Sequence, residues 1–128
     1  MPFNLYTYRA TITSVYDGDT CTMDIDLGLN TWVRNEKLRL NRINTPELKG
    51  ENREAGLRAR DRLRELVLNK NIILQTVTDK KGKYGRYLGE LWIINEAGQF
   101  LNINDLLVKE DHAQYFMTES NKPLPTPA

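Results

Sequence analysis

The chain has 128 residues, enough for one domain with a real core and too few for two. Hydrophobic residues make up 40% of it and charged residues 27%, which indicates a folded domain, and no run of about 18 apolar residues predicts a membrane span. With one cysteine, Cys21, and one histidine, His112, an intramolecular disulfide and a cysteine-rich zinc site are excluded, so a metal would be held by oxygen ligands. The N-terminus shows no signal-peptide pattern, and we therefore expect a cytoplasmic protein without a membrane partner.

Charge is unevenly distributed along the chain, although the net charge is only +1. Basic residues are concentrated in residues 53–64 and 80–86, whereas several acidic residues lie between 17 and 26. The overall charge does not indicate a nucleic-acid-binding protein, but local electric fields can be strong where the total is small.

The first forty residues predict three consecutive strands. Apolar and polar residues alternate over residues 6–15, and again over residues 21–27, where Cys21 falls at a core position. The Asp-Gly-Asp-Thr sequence at 17–20 predicts a tight turn or bulge between these strands. Residues 31–41 form the third strand, and short connections favour an antiparallel meander.

The hydrophobic period then changes to that of a helix over residues 51–68. Two further strands are predicted at residues 72–77 and 87–94, and a short helix through about residue 110 begins at a capping asparagine, Asn102 or Asn104. Five strands with a long helix between the third and fourth is the order of an OB-fold barrel. The predicted class is therefore α+β, mainly β.

The end of the chain predicts a boundary between a folded domain and a tail. Tyr115 and Phe116 are aromatic residues that we expect to complete the core. Residues 118–128 are polar and rich in proline, which is typical of a disordered segment. We therefore expect one domain over residues 1–117 and a disordered tail over 118–128.

Charged residues at strand ends and turns are the candidates for chemistry: Asp19, Arg39, Glu47 and Arg86. Hydrolysis of a phosphodiester needs cations around the phosphate oxygens and a carboxylate that can activate or position water. Each residue also has an ordinary structural interpretation. Asp19 fits turn formation, and Arg86 fits a solvated hairpin after a lysine-rich turn. From the pattern alone both interpretations stay open.

Three segments resemble, in order, the thermonuclease (staphylococcal nuclease-like) family. They are Val15-Tyr16-Asp17-Gly18-Asp19-Thr20, then Arg39-Leu40-Asn41-Arg42-Ile43-Asn44-Thr45-Pro46-Glu47, and then Lys83-Tyr84-Gly85-Arg86. The similarity covers roughly residues 6–116, including the intervening helix and fourth strand. It implies a calcium-dependent nuclease on an OB-fold barrel that cuts DNA and/or RNA with little sequence preference.

The resemblance also implies a role for each matching residue. Asp19 would be a Ca²⁺ ligand, and Thr45 would offer its backbone carbonyl to the same ion. Glu47 would act as the general base or position the attacking water. Arg39 and Arg86 would bind the phosphate and stabilise the transition state.

Two more residues, Lys83 and Tyr84, match positions that flank the bound nucleotide and are expected to bind substrate. Asn104 matches a recurrent asparagine that we interpret as structural. Asn44 stands where the best-known family members have a Ca²⁺-ligating aspartate. An amide oxygen can still ligate Ca²⁺, but one formal charge is lost, so we expect weaker binding of the ion.

Other departures from the family concern the surroundings of the site. The connection from residue 28 to residue 37 looks long and carries an exposed Trp32, and the family's C-terminal helix has no counterpart. The late tyrosines that stack on the nucleotide are not clearly matched, since Met117 falls near one of them. We expect a monomeric nuclease. The alternatives are an OB-fold nucleic-acid-binding module with weakened catalysis and an OB-like domain that binds another ligand.

Overall fold

A computed structural model describes residues 5–77 and 85–116. The strands are β1 (Thr7–Asp17), β2 (Thr20–Gly28), β3 (Thr31–Leu40), β4 (Ile43–Asn44), β5 (Asn71–Thr76), β6 (Tyr87–Ile94), β7 (Phe100–Asn102) and β8 (Gln114–Tyr115). The helices are α1 (Arg53–Val67), which a 3-10 turn at Gly50–Asn52 precedes, and α2 (Ile103–Lys109). Neither helix in this part of the chain is long and apolar enough to cross a bilayer.

The large sheet closes on itself through one parallel contact. Its strand order is β3-β2-β1-β5-β6-β7, and β3 also pairs with β6. The closing pairs place Leu38 opposite Tyr87 and Leu40 opposite Gly89. Within the described residues, β1, β2, β3, β5 and β6 thus form a closed five-stranded barrel, with α1 following the third strand. The predicted OB-fold barrel, mainly β with a short C-terminal helix, is confirmed.

The core forms because alternate residues of each barrel strand point inward. Cys21 is fully buried beside other apolar side chains of the meander, as its place in the alternation predicted. Helix α1 contributes Ala59, Leu63 and Val67 at its buried positions. The helical period of its apolar residues therefore packs one face of α1 against the barrel.

The prediction of a short connection and of a third strand that starts at residue 31 is confirmed, whereas the long connection over residues 28–37 is wrong. Gly28 pairs with Thr31, and the two residues between them, Leu29 and Asn30, both have positive φ, which is the geometry of a two-residue hairpin turn. Strands β2 and β3 therefore stay paired up to this turn. Trp32 therefore lies on a regular strand, with its side chain partly exposed.

The prediction that Tyr115 and Phe116 complete the core is also wrong, since both are exposed. The short strand β8 pairs with β4, and the two aromatic rings lie over arginine side chains outside the core. Strands β4, β7 and β8 were not predicted, because runs of two or three residues carry no detectable alternation. The predicted substrate-binding residues Lys83 and Tyr84, and the tail at 118–128, lie outside the described residues.

Candidate active site

Barrel closure brings the candidate residues to neighbouring strand ends. Thr20, at the start of β2, pairs with Arg39 on β3, and the main-chain N–H of Leu40 donates to the Asp19 carbonyl at 2.8 Å. Arg39 in turn pairs with Leu88 on β6. Leu88 comes two residues after Arg86, so Arg86 lies just before this pairing. A carboxylate and two arginines that are distant in sequence thus converge through the sheet register.

Arg39 is held by acceptors from the segment that follows its own strand. Its Nη1 donates to the carbonyl oxygens of Leu40 at 3.1 Å and Ile43 at 3.0 Å. Its Nη2 donates to Oδ1 of Asn44 at 3.1 Å and lies 3.5 Å from Oδ2 of Asp19. The guanidinium therefore sits between two of the predicted metal ligands and is largely shielded from solvent.

The Asp19 carboxylate is buried and fixes the main chain of the segment opposite. Its Oδ2 accepts from the Thr45 N–H at 3.0 Å, and its Oδ1 accepts from the Thr20 hydroxyl at 3.3 Å. Asp19 and Thr45 are thus adjacent, as the resemblance requires. The proposed metal role of the Thr45 carbonyl stays a prediction.

A second carboxylate, Asp17, lies next to Asp19. Oδ1 of Asp17 accepts from the Asp19 N–H at 3.1 Å. Burial, and then the neighbouring Asp19 charge, raise the pKa of Asp17 to about 6. Two carboxylates thus lie in one partly buried turn, and ionisation of Asp17 is disfavoured there. Asp17 was not among the predicted site residues, although it lies two residues before Asp19 in the same turn.

Two glycines allow the loops of the site to pack against α1. A Cβ on Gly18 would come within 2.8 Å of both Thr45 Cγ2 and Ala59 Cβ. A Cβ on Gly56 would lie 2.5 Å from the carbonyl oxygen of Glu47. The backbone that carries Thr45 and Glu47 is therefore fixed by close packing on the helix, a role for Gly56 that its sequence context did not predict.

The structure does not join every predicted residue to this cluster. Glu47 has a side chain that is 70% exposed, and its carboxylate lies 3.9 Å from Nζ of Lys49. Among the hydrogen bonds and ion pairs of the described residues, none connects the Glu47 carboxylate to Asp19 or Arg39. Arg86 is at the edge of the cluster, with Nη1 3.5 Å from the Thr20 hydroxyl.

A buried ion pair holds the bend between β3 and β4. Arg42, at a φ of 69°, donates to both carboxylate oxygens of Glu90, at 2.7 and 3.0 Å. It also lies 2.9 Å from Oδ1 of Asp105, and hydrogen bonding to Glu90 is the main cause that raises the pKa of Arg42. This pair, missed in the sequence, ties the site's loop to β6 and α2.

Asn104 supports the same bend from the barrel interior. It is fully buried, its Oδ1 accepts from the Leu91 N–H at 3.1 Å, and its Nδ2 donates to the Asn41 and Gly89 carbonyls. Its amide therefore joins helix α2 to strand β6 and to the loop that follows β3, which agrees with the structural interpretation.

The oxygen atoms of the cluster are of the chemical types that bind a hard cation. Oδ2 of Asp19 and Oδ1 of Asn44 both lie within 3.5 Å of one Arg39 nitrogen, so they face a common position that a positive charge already occupies. Carboxylate and amide oxygens are the donors that Ca²⁺ takes. Within residues 5–77 and 85–116, no three His, Cys, Asp or Glu side chains are arranged as a metal site. An amide and a carbonyl would have to complete the ligand set.

The closed five-stranded barrel, with a long helix after its third strand, defines an OB-fold protein. Residues 37–125 match the family described as staphylococcal nuclease homologues, and the chain belongs to this family.

A relative in Methanocaldococcus jannaschii, the uncharacterized protein MJ1439, is 27% identical over 132 residues. That alignment covers 87% of this chain and 60% of the relative, so the chain spans about three-fifths of the length of the curated relative it matches.

Proposed function

We propose that this protein is a calcium-dependent nuclease that hydrolyses phosphodiester bonds in DNA and/or RNA with little sequence specificity. Residues 1–117 would form the nuclease domain and act as a monomer. The observation that carries the proposal is the contact of Arg39 with both Asp19 and Asn44, which places a phosphate-binding group beside two hard oxygen ligands.

In the proposed reaction, Arg39 and Arg86 bind the equatorial oxygens of the phosphate, and their donors stabilise the charge that develops there. Water adds to phosphorus in line with the leaving oxygen, whose bond to phosphorus breaks, and the leaving alkoxide takes a proton from solvent. Glu47 accepts the proton of that water. The exposure of Glu47 leaves its carboxylate free to reach a water beside bound substrate.

Asp19, Asn44 and the Thr45 carbonyl would hold Ca²⁺ in this proposal. When bound, the ion would add positive charge beside a phosphate oxygen. Arg39 occupies the position that Asp19 and Asn44 face, so it would leave these oxygens to bind phosphate. Lys83 and Tyr84 are proposed to contact the neighbouring nucleotide.

The proposal is tested by digesting single-stranded DNA in Ca²⁺ and in EDTA with the wild type, Glu47→Gln and Glu51→Gln. Glu51 is an exposed acidic residue four positions on, so its variant controls for the loss of one surface charge. We expect cleavage in Ca²⁺ by the wild type and Glu51→Gln, and at least a 100-fold loss in Glu47→Gln. Equal survival of DNA under all conditions would overturn the enzyme proposal.

A second candidate, a nucleic-acid-binding module with weakened catalysis, is favoured by one observation. The neutral amide of Asn44 offers less negative charge than a carboxylate and is already hydrogen-bonded to Arg39. This candidate predicts that the wild type binds single-stranded DNA but leaves it intact even in high Ca²⁺.

A further inference from the structure

The outer face of β3 leads away from the candidate site. Leu38 and Leu40 point into the core, so the neighbouring residue Arg39 faces outward. A register shift between Glu36 and Val33, with Asn35 at positive φ, then reverses the alternation, so four exposed or partly exposed residues follow this face from the site to the hairpin turn: Arg39, Lys37, Arg34 and Trp32. The seven-residue separation from Arg39 to Trp32 corresponds to roughly 20 Å along the strand.

Exposed aromatic rings accompany the cations on this face. Tyr16 on β1 is 63% exposed, and Nζ of Lys37 lies 5.6 Å from its ring centroid. Trp32 is 40% exposed, and the Arg34 guanidinium lies 4.5 Å from its ring centroid. This surface thus has two pairs of a cation and an aromatic ring, made by Tyr16, Trp32, Arg34 and Lys37. Because it follows the β2–β3 hairpin, we name it the β2–β3 track.

The acidic residues near the track are already hydrogen-bonded. Asp24 accepts from Arg34 at 3.2 Å and from the Asn35 N–H at 3.0 Å, and this backbone bond is the main cause that lowers the pKa of Asp24. Asp26 accepts from the Gly28 N–H at 2.8 Å. Lys37, which lies over the Tyr16 ring, therefore keeps its positive charge available on this face, whereas Arg34 shares its charge with Asp24.

Beyond Trp32 the track opens into a groove of about 640 Å³ that crosses the outside of the barrel. Trp32 lines one part of the groove and Trp92 another, and Arg9 and Lys70 contribute positive charge to its walls. The register places Arg9 opposite both Asp26 and Ile73. The groove therefore runs from β3 across β2, β1 and β5, and its wall also includes the acidic residue Asp26.

We propose that the β2–β3 track binds the single-stranded nucleic-acid chain that extends from the active site, for several nucleotides beyond the scissile phosphate. This inference rests on the proposed function for its direction. Cations placed along a strand suit successive phosphates, and exposed rings suit the faces of unpaired bases. Paired bases in a duplex do not offer these faces, so the preferred substrate is single-stranded.

The test measures binding without catalysis, by fluorescence anisotropy of labelled oligothymidine in EDTA. Tyr16→Ala/Trp32→Ala is compared with the wild type and with Phe100→Ala, a matched aromatic deletion on β7 at a position that is 60% exposed. We expect the double variant to bind a 15-mer at least tenfold more weakly and a 3-mer within twofold of the wild type. A 15-mer affinity like that of Phe100→Ala would overturn the proposal.

A second variant keeps the test independent of aromatic packing. Arg34→Gln/Lys37→Gln removes two proposed phosphate contacts, and we expect it to lower the slope of log affinity against log salt by about 1.4. An unchanged slope would contradict the track. A 15-base-pair duplex that binds as tightly as the single strand, with the same loss in both variants, would overturn the single-strand preference.

The outcome separates this proposal from the proposed nuclease function. If the track variants lose 15-mer binding while the wild type fails to cut DNA in Ca²⁺, the track stands and the nuclease function fails. If Glu47→Gln abolishes cleavage while the track variants bind the 15-mer normally, the nuclease function stands and the track fails.

Discussion

Arg39 and Asn44 are joined by a hydrogen bond of 3.1 Å between the guanidinium Nη2 and the amide Oδ1. The residue proposed to bind phosphate therefore uses one of the oxygens proposed to bind metal. Because Asn44 is neutral, this contact lacks the Coulomb energy that a carboxylate partner would add. Arg39 and a metal ion would compete for the Asn44 oxygen, and a single substitution at Asn44 would consequently change which of them binds there.

Asn44→Asp is expected to lower the Ca²⁺ concentration that gives half-maximal cleavage by about tenfold, since a carboxylate adds one negative charge to the ligand set. A calcium titration of single-stranded DNA cleavage measures the midpoint. Asn52→Asp makes the same chemical change at an exposed position before α1 and serves as the control. Identical midpoints for Asn44→Asp and the wild type would contradict the proposed metal site.

Gly56→Ala tests whether α1 positions the loop that carries Glu47. In an ordinary helix interior this change is stabilising by about 1 kcal/mol. Here the new Cβ would lie 2.5 Å from the Glu47 carbonyl oxygen and 2.8 Å from that of Pro46, so the loop or the helix must move. We expect a net destabilisation of about 1 kcal/mol or more, and at least a tenfold loss of activity in the folded variant.

Thermal unfolding and cleavage assays, made well below the melting temperature, separate these two effects of Gly56→Ala. Arg58→Ala, at an exposed position on the same helix, is the control and should change stability by less than about 0.5 kcal/mol. A Gly56→Ala protein with raised stability and full activity would show that the loop does not depend on this contact.

Sequence patterns predicted those strands and helices of the barrel whose pattern lies within a single element. The alternation that buried Cys21 and the helical period of α1 were sufficient, because each is read within one element. The short connection at residues 28–30 was predicted, but its tight turn with Leu29 and Asn30 at positive φ was not, since a leucine there is not a recognisable turn signal. The exposure of Phe116 depends on distant partners, because its backbone N–H donates to the Arg42 carbonyl.

The site was predictable only in part for the same reason. Family motifs identified Asp19 and Arg39, and the structure brings them within 3.5 Å. The Asp17 pKa and the Glu90 ion pair depend on burial, which no single segment of sequence specifies. The candidate site residues were therefore accessible from motifs, whereas the electrostatic environment of these residues depends on the assembled barrel.

Two bidentate Arg–Glu pairs offer a comparison of buried and exposed ion pairs. Glu90 is buried with Arg42, whereas Glu110 pairs with Arg62 near the surface at similar distances. We expect Glu90→Gln to cost about 2–3 kcal/mol, because it removes the buried carboxylate of the pair and leaves Arg42 with only the more exposed Asp105 as a counter-charge. Glu110→Gln should cost less than about 1 kcal/mol. Urea denaturation of both variants measures the difference, and equal losses would contradict this account.

Asp17 provides a pH dependence of stability whose direction is opposite to that of most carboxylates. Its pKa is about 6 in the folded protein, against an ordinary value of 3.8, so between these pH values the folded state binds more protons than the unfolded state. Its contribution to the free energy of unfolding is therefore greatest below about pH 4. The contribution is lost as the pH rises through 6, where the carboxylate must ionise beside Asp19.

Asp17→Asn removes this ionisation, so the variant should be more stable than the wild type above pH 6 and lose that advantage near pH 4. The full pKa difference corresponds to about 3 kcal/mol, but Asp17 is only half-buried and solvent reduces the expected gain to about 1 kcal/mol. Urea denaturation between pH 4 and 7.5 in EDTA measures it without competing metal. Asp61→Asn, on the exposed face of α1, is the control. If the free-energy curves of Asp17→Asn and the wild type run parallel across this range, Asp17 does not have the raised pKa that its burial and its position beside Asp19 imply.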